Sequence, residues 1–227
     1  MTHRSTRILT AALLGAGMLF GGLFTARAVS DEKSGPDKKM TAPDPEAMKA
    51  MMQGMKKWMD SIEPGQHHEP LEHFVGSWNT TTKMWWSGPN APAIETKGTS
   101  DIKWVLGKRF LVEEHHGEMM MPDMSGGMKK VPYEGIGMTG YDNVRNLYTA
   151  SWCSNLGTNM LTMKGAADPS GKTFRMYGEM DEPMLDVFGR MVKYVSRVID
   201  EDTHVFEIID LHAKDDYKVL EITYKRK

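Results

Sequence analysis

From Pro70 to the C-terminus, apolar and polar residues alternate with a period of two, which is typical of β-strands with one buried face. Short turn sequences rich in Gly, Asn, Asp and Pro interrupt the alternation. The runs between the turns lie near residues 73–86, 94–106, 108–118, 133–142, 146–153, 158–166, 172–181, 192–200, 203–212 and 217–225. The spacing therefore predicts up to ten short strands in sequence.

Connections this short join neighbouring antiparallel strands, because a parallel crossover needs about a dozen residues or more. Sequential antiparallel strands in one domain form either a sandwich or a barrel. Uniformly short hairpins favour the meander, and closure removes both exposed sheet edges. We predict an all-β fold, an up-and-down antiparallel barrel of eight to ten strands.

Two segments depart from the alternation. Asp44 and Pro45 suit the N-cap and first position of a helix, and apolar residues then recur at helical spacing. These residues are Met48, Met51, Met52, Met55 and Trp58 or Met59. We predict one N-terminal amphipathic helix whose methionine face packs on the domain, with a metal-loading arm or a surface for a protein partner as alternatives. The second segment, Glu182 to Arg190, predicts a flap or an over-long hairpin.

The first residues predict a signal peptide. A positively charged start precedes an apolar segment, Ile8 to Phe24, and Ala26-Arg27-Ala28 supplies the pattern of a cleavage site. An uncleaved membrane anchor is the alternative, because the segment approaches the length that spans a bilayer. We expect an exported protein, periplasmic or secreted, without a membrane span after cleavage. The predicted organisation is a signal peptide over 1–28, a polar tether and methionine-rich helix over 29–69, and a barrel over 70–227.

Charge and cysteine content exclude several function classes. The whole chain has 28 basic and 30 acidic residues. Residues 1–28 hold three arginines and no acid, so the mature chain has 25 basic residues and a net charge of −5. Such a chain has no broad electrostatic attraction to nucleic acid. Cys153 is the single cysteine, so an internal disulfide is impossible. No nucleophile elbow, zinc spacing or phosphate loop occurs, and we predict no cofactor.

The stretch HFVGSWNTTTKMWW, from His73 to Trp86, opens the strand pattern. Gly76 permits a close approach of the chain at the barrel floor, where a side chain would collide. Trp78 is expected to fill that floor, with a cation from the last strand on its ring. Arg226 and Lys225 are the candidates for this cation.

This Gly-x-Trp step, combined with a basic residue on the last strand, resembles the lipocalin or calycin pattern. A second similarity covers about 155 residues after His67: LEHFVGSWNTTTKMWWSGPNAP, GTSDIKWVLGKRFLVEE, YEGIGMTGYDNVRNLYTASW and DTHVFEIIDL…VLEITYKRK are similar to domain-of-unknown-function family 1579. The resemblance implies a lipocalin-like barrel in exported bacterial proteins. It implies neither an activity nor catalytic residues.

A barrel of this size is wide enough for one small ligand. Alternation places several aromatic, methionine and threonine side chains on the faces expected to point inward. They are Trp78, Thr80, Thr82, Met84, Trp86, Trp104 and Trp152. Interior hydroxyls without a partner would be left unpaired, which favours an amphipathic cavity over a solid core.

The third strand carries two carboxylate–imidazole pairs on opposite faces. Glu114 and His116 share one face, Glu113 and His115 share the other, and the period does not decide which face is inside. We assign Glu114 and His116 to the ligand-binding set. The pair that points inward could act as an acid and a base in an enzyme, or it could bind a metal or haem. Both are alternatives to simple ligand binding.

The methionine-rich segment from Glu118 to Lys130 supplies the last candidate. Thioether sulfurs suit Cu(I), but flexible methionines also form adaptable apolar lids. The main hypothesis is a non-enzymatic binder of a small hydrophobic or amphipathic molecule. Cu(I) or haem handling by the methionine and histidine residues is the remaining alternative.

Overall fold

The computed structural model describes residues 44–212 and 217–227. Ten antiparallel strands form a closed barrel in the order of the sequence, and the first strand pairs with the last. The strands are β1 (Gly76–Met84), β2 (Ile94–Val105), β3 (Phe110–Pro122), β4 (Met128–Asp142), β5 (Leu147–Ser154), β6 (Leu161–Ala167), β7 (Thr173–Glu182), β8 (Val187–Asp200), β9 (Thr203–Asp210) and β10 (Tyr217–Arg226). The predicted up-and-down barrel is confirmed.

The meander gives the barrel two different ends. Odd-numbered strands all run toward one end, which we call the mouth, and even-numbered strands return to the other, the closed end. A 3₁₀ helix over Glu69–Phe74 leads into β1 at the closed end. Its Leu71 is buried and its Phe74 packs against the core. The closed end is therefore plugged by the chain that enters the barrel.

Two hairpins extend past their neighbours at the mouth. β3 pairs with β2 only as far as Gly117, and β4 pairs with β5 only from Gly135, so the rest of both strands pair with each other. β7 and β8 form a similar extension. Residues 182–190, predicted as a flap or an over-long hairpin, contain a 3₁₀ turn over Pro183–Leu185 and the start of β8. The over-long hairpin is the correct alternative.

The N-terminal helix, α1, covers Pro45–Ile62. Side chains from the closed end bind its terminal carbonyl groups: Arg109 Nε donates to Ile62 O at 2.9 Å, and Asn143 Nδ2 donates to Ser61 O at 3.2 Å. These bonds satisfy acceptors that have no partner inside a helix. The chain divides into two compact units at Ala50, so the first residues of α1 belong to one unit and its end to the other.

The methionine face of α1 is exposed. Within the described residues no side chain of the helix is buried, and Met51, Met52 and Met55 are 40%, 64% and 47% exposed. The prediction that this face packs on the domain is therefore wrong. A protein partner for the helix stays a prediction. The predicted signal peptide and most of the tether lie outside the described residues.

Trp78 fills the closed end as the sequence predicts. Its side chain is 1% exposed, and its indole N–H donates to Phe74 O at 2.9 Å. The guanidinium of Arg226, rather than the amine of Lys225, lies 4.1 Å from the ring centroid. Gly76 has a φ of 140°, and a Cβ there would collide with the Arg226 guanidinium. Glycine at this position thus makes room for the cation on the tryptophan.

Helices long and apolar enough to cross a lipid bilayer are absent from residues 44–212 and 217–227.

Candidate ligand-binding cavity

A cavity of about 290 Å³ lies inside the barrel. Most of its wall is apolar, with contributions from Leu71, Phe74, Ile102, Leu111, Met119, Gly137, Ala150, Trp152, Leu161, Met163, Phe174, Met176, Phe206, Ile208, Leu220 and Ile222. Eight polar residues also line it: Glu113, Tyr133, Thr139, Ser151, Tyr194, Ser196, His204 and Tyr224. The interior is therefore an amphipathic chamber with one carboxyl group.

Only one of the predicted ligand-binding residues on β1, β2 and β5 lines this chamber, Trp152. Trp78 and Thr80 are buried in the floor and wall, and Thr82 and Met84 are half-buried, but none of the four lines the cavity. An inward-facing position on a strand is therefore not sufficient to place a residue in the cavity wall.

The placement of Trp86 in the lumen is wrong. β1 ends at Met84, so the alternation does not reach Trp86, which is 41% exposed. Trp104 packs against the interior core as the alternation predicts, but at the closed end and outside the cavity lining, where its indole N–H donates to Glu72 of the 3₁₀ helix at 2.7 Å. That hydrogen bond draws the ring toward the segment that plugs the barrel.

The structure also decides the orientation of β3. Glu114 and His116 are exposed on the outer face, where Glu114 binds Lys103 at 3.2 Å, so their assignment to the ligand site is wrong. Glu113 and His115 share the inner face with buried Leu111. Of this pair, Glu113 lines the cavity.

The Glu113 carboxyl is held by two hydroxyl groups. Ser100 Oγ donates to its Oε1 at 2.7 Å, and Tyr224 Oη donates to the same oxygen at 3.1 Å. Burial raises the pKa of Glu113 above its usual value of 4.5, and the two hydrogen bonds oppose this change only in part. Burial thus stabilises the neutral form of the carboxyl relative to the charged form, and the neutral form carries a proton to donate.

Several buried polar atoms have no hydrogen-bond partner among the described residues. Two of them belong to side chains that line the cavity, the Tyr194 hydroxyl and His204 Nδ1. The others are Thr80 Oγ1 and His115 Nδ1. An unpaired buried polar group costs about 1–3 kcal/mol.

Burial also keeps the interior histidines neutral. It lowers the pKa of His204 to about 3, with help from the charge of Arg226, and it lowers the pKa of His115 to about 4, with help from His116. The same desolvation raises the pKa of Tyr194 to about 12. Near neutral pH these side chains therefore offer hydrogen bonds but no charge.

Glycines on β4 make space for Trp152. Gly135 and Gly137 pair with Ser154 and Trp152 on β5, and a Cβ on either glycine would collide with the indole. The ring lies against this wall, and its N–H donates to Tyr133 Oη at 2.8 Å. These glycines are therefore sites of close packing.

The methionine-rich segment forms the β3–β4 hairpin at the mouth. Met119 lines the cavity, while Met124 at the tip is fully exposed. Groups of three or more His, Cys, Asp or Glu able to hold a metal are absent from the part of the chain that the structure describes. Binding of Cu(I) by thioethers stays a prediction.

The fold and the chamber define a closed ten-stranded antiparallel barrel with an amphipathic interior. The chain belongs to the family described as Protein of unknown function (DUF1579), whose model matches residues 63–226. The match begins at the end of α1 and covers all ten strands.

Two solved structures are similar to the chain. A redesigned beta barrel is 13% identical, with 69% of this chain and 93% of that chain covered and a TM-score of 0.34. A protein with unknown function from the DUF3598 family of Nostoc punctiforme is 9% identical, with 72% and 100% covered and a TM-score of 0.25. At these scores neither similarity supports an inference about function. No curated protein matches the chain.

Proposed function

We propose that this protein is exported and acts as a non-enzymatic, lipocalin-like binder of one small hydrophobic or amphipathic molecule. The cavity of about 290 Å³ carries the proposal. It is close to the lower limit of ligand pockets, which measure about 300–1,000 Å³. Export rests on the charged start, apolar segment and small-x-small pattern of the first 28 residues.

The chemistry of the wall supports an amphipathic ligand. Apolar side chains form most of the surface, and burial of apolar ligand area against them is favourable by about 25 cal/mol per Å² before the costs of binding. Polar residues that include Glu113, Tyr133 and Ser196 also line the chamber. A ligand with polar atoms would find hydrogen-bond partners among them.

The mouth supports entry of an apolar molecule. Exposed large apolar side chains occur on four of the hairpin connections at this end, and at the start of β8: Trp86, Met124, Leu156, Met160, Met184 and Leu185 on the connections, and Phe188 on β8. Exposed apolar groups of this kind near a cavity are common at ligand entrances.

The enzyme alternative now concerns Glu113 and His115 on the inner face. The hydrogen bonds recorded for the Glu113 carboxyl come from Ser100 and Tyr224, so the carboxyl and the imidazole are not a hydrogen-bonded pair. Binding accounts for the cavity without a reaction.

Filling the cavity tests the proposal. Ala150 lines the chamber, and Ala150→Phe would place a phenyl ring in it. We expect native protein to change its tryptophan fluorescence on titration with N-phenyl-1-naphthylamine, a neutral apolar probe, because Trp152 lies in the wall. Ala150→Phe should weaken this binding roughly tenfold or more, about 1.4 kcal/mol.

Ala166→Phe is the matched control, because Ala166 is exposed on neighbouring β6. Thermal unfolding should show that both variants remain folded, since overpacking costs about 1–3 kcal/mol. Equal affinity of the Ala150→Phe and native proteins, or absence of any response in native protein to this probe and to a panel of fatty alcohols, would refute the proposal.

A further inference from the structure

Glu113 places a single carboxyl group among the described residues that line the chamber. None of the described lining residues is Lys or Arg. Arg190 shares a face of β8 with Tyr194, but its guanidinium already binds both carboxylate oxygens of Asp210, at 3.1 and 2.5 Å. An anionic ligand would therefore enter the chamber without a free cation to offset its loss of hydration.

The hydrogen bonds of Glu113 leave one oxygen available. Ser100 on β2 and Tyr224 on β10 both donate to Oε1. Because Glu113 lines the cavity, Oε2 is the oxygen that can meet a ligand. In a neutral carboxyl whose Oε1 accepts two hydrogen bonds, the proton resides on Oε2 and is donated toward the chamber.

We propose, on the basis of the proposed binding function, that Glu113 selects ligands as a neutral carboxylic acid: its Oε2–H donates to a carbonyl or ether oxygen on an uncharged, mainly apolar molecule. Ligands that carry a carboxylate are rejected, because they would bury a negative charge beside Glu113 with no cation among the described lining residues to pair with it. Glu113 is thereby the specificity-determining residue of the chamber.

The titratable groups around Glu113 are compatible with its neutral form. His115 lies on the same strand, Tyr133 on β4 and Tyr224 on β10, and burial keeps each of these neutral by lowering the pKa of the histidine and raising those of the tyrosines. Across the lumen, Tyr194 and His204 are neutral for the same reason. No cation contributes to the pKa of Glu113.

Three ten-carbon probes test the proposal by tryptophan fluorescence. Decan-2-one offers only an acceptor, decane offers no polar atom, and decanoate is an anion at pH 7. We expect native protein to bind decan-2-one about tenfold more tightly than decane, the effect of one buried hydrogen bond, and decanoate most weakly. Glu113→Ala should lose the preference for decan-2-one.

Glu113→Gln distinguishes hydrogen bonding from a structural role. Its amide can accept from Ser100 and Tyr224 and still donate toward the lumen, so it should retain the preference for decan-2-one. In native protein this preference should fall as pH rises through the raised pKa of Glu113, while Glu113→Gln should show no such fall. Glu114→Gln, on the exposed face of β3, is the control and should behave like native protein.

The outcomes separate this inference from the proposed function. If native protein binds none of the three probes, the binding function itself is contradicted. If it binds decane, decan-2-one and decanoate equally, or if Glu113→Gln retains the pH dependence, the barrel remains a binder and the role of Glu113 is refuted.

Discussion

Replacement of Trp78 by alanine is expected to lower the free energy of unfolding by about 3–5 kcal/mol, the usual cost of removing a large buried aromatic side chain. Trp78 is 1% exposed and donates to Phe74 O, so the variant loses packing and leaves a carbonyl without its partner. It also removes the ring beneath Arg226. For a domain of this size the midpoint of thermal unfolding should fall by roughly 6–20 °C.

Trp86→Ala is the matched control, because this indole is 41% exposed and lies beyond the end of β1. It should change the free energy of unfolding by less than about 1 kcal/mol. Chemical denaturation of the two variants compares them directly. Equal stability would show that the plugged end of the barrel does not depend on Trp78.

Acid should destabilise the native protein through His204, and His204→Phe should remove this effect. The pKa of His204 is about 3 in the folded chain and near 6.5 when unfolded. Below pH 6.5 the unfolded chain therefore binds a proton that the folded chain does not, so stability falls as pH falls toward 3. At pH 5 this amounts to about 2 kcal/mol.

Phenylalanine retains the ring that stacks on Tyr224, with a centroid distance of 4.1 Å, and lacks the unpaired Nδ1. Urea unfolding at pH 7.5 and 5 should show the stability advantage of His204→Phe increasing by about 2 kcal/mol at the lower pH. The effects of His115 and Glu113 are present in both proteins and cancel in the difference. His73→Gln, at an exposed position of the 3₁₀ helix, should leave the acid response intact. A constant advantage at both pH values would contradict the role of His204.

The ten strands could be predicted because alternation and turn chemistry are local properties of the chain. Trp78 and Arg226 could be placed together because a tryptophan in the first strand and a cation in the last become neighbours only when the sheet closes. The uniformly short connections predict a closed barrel, and a closed barrel in turn predicts that the first strand pairs with the last.

The identity of the lining residues could not be predicted in the same way. On β4 the outward residues Ile136 and Met138 are 56% and 41% exposed, while the inward positions include Gly135 and Gly137. Hydrophobicity alone would predict that Ile136 and Met138 point inward and the glycines outward. The space taken by Trp152 from the next strand explains the glycines, and that contact is not local in the sequence.

The orientation of β3 was ambiguous for a related reason. Each face carries one glutamate and one histidine, and Phe110 and Val112 on one face balance Leu111 on the other. Only the pairing of Glu113 with Gly137, and the reach of Tyr224 from β10, identify the inner face. Both contacts need the closed barrel.

Pairing of β1 with β10 has a consequence for synthesis of the chain. Until β10 has emerged, β1 and β9 both expose open edges, and unpaired edges recruit strands from other molecules. A chain that lacks β10 would thus hold a sheet that cannot close, with both of its edges open to strands of other molecules.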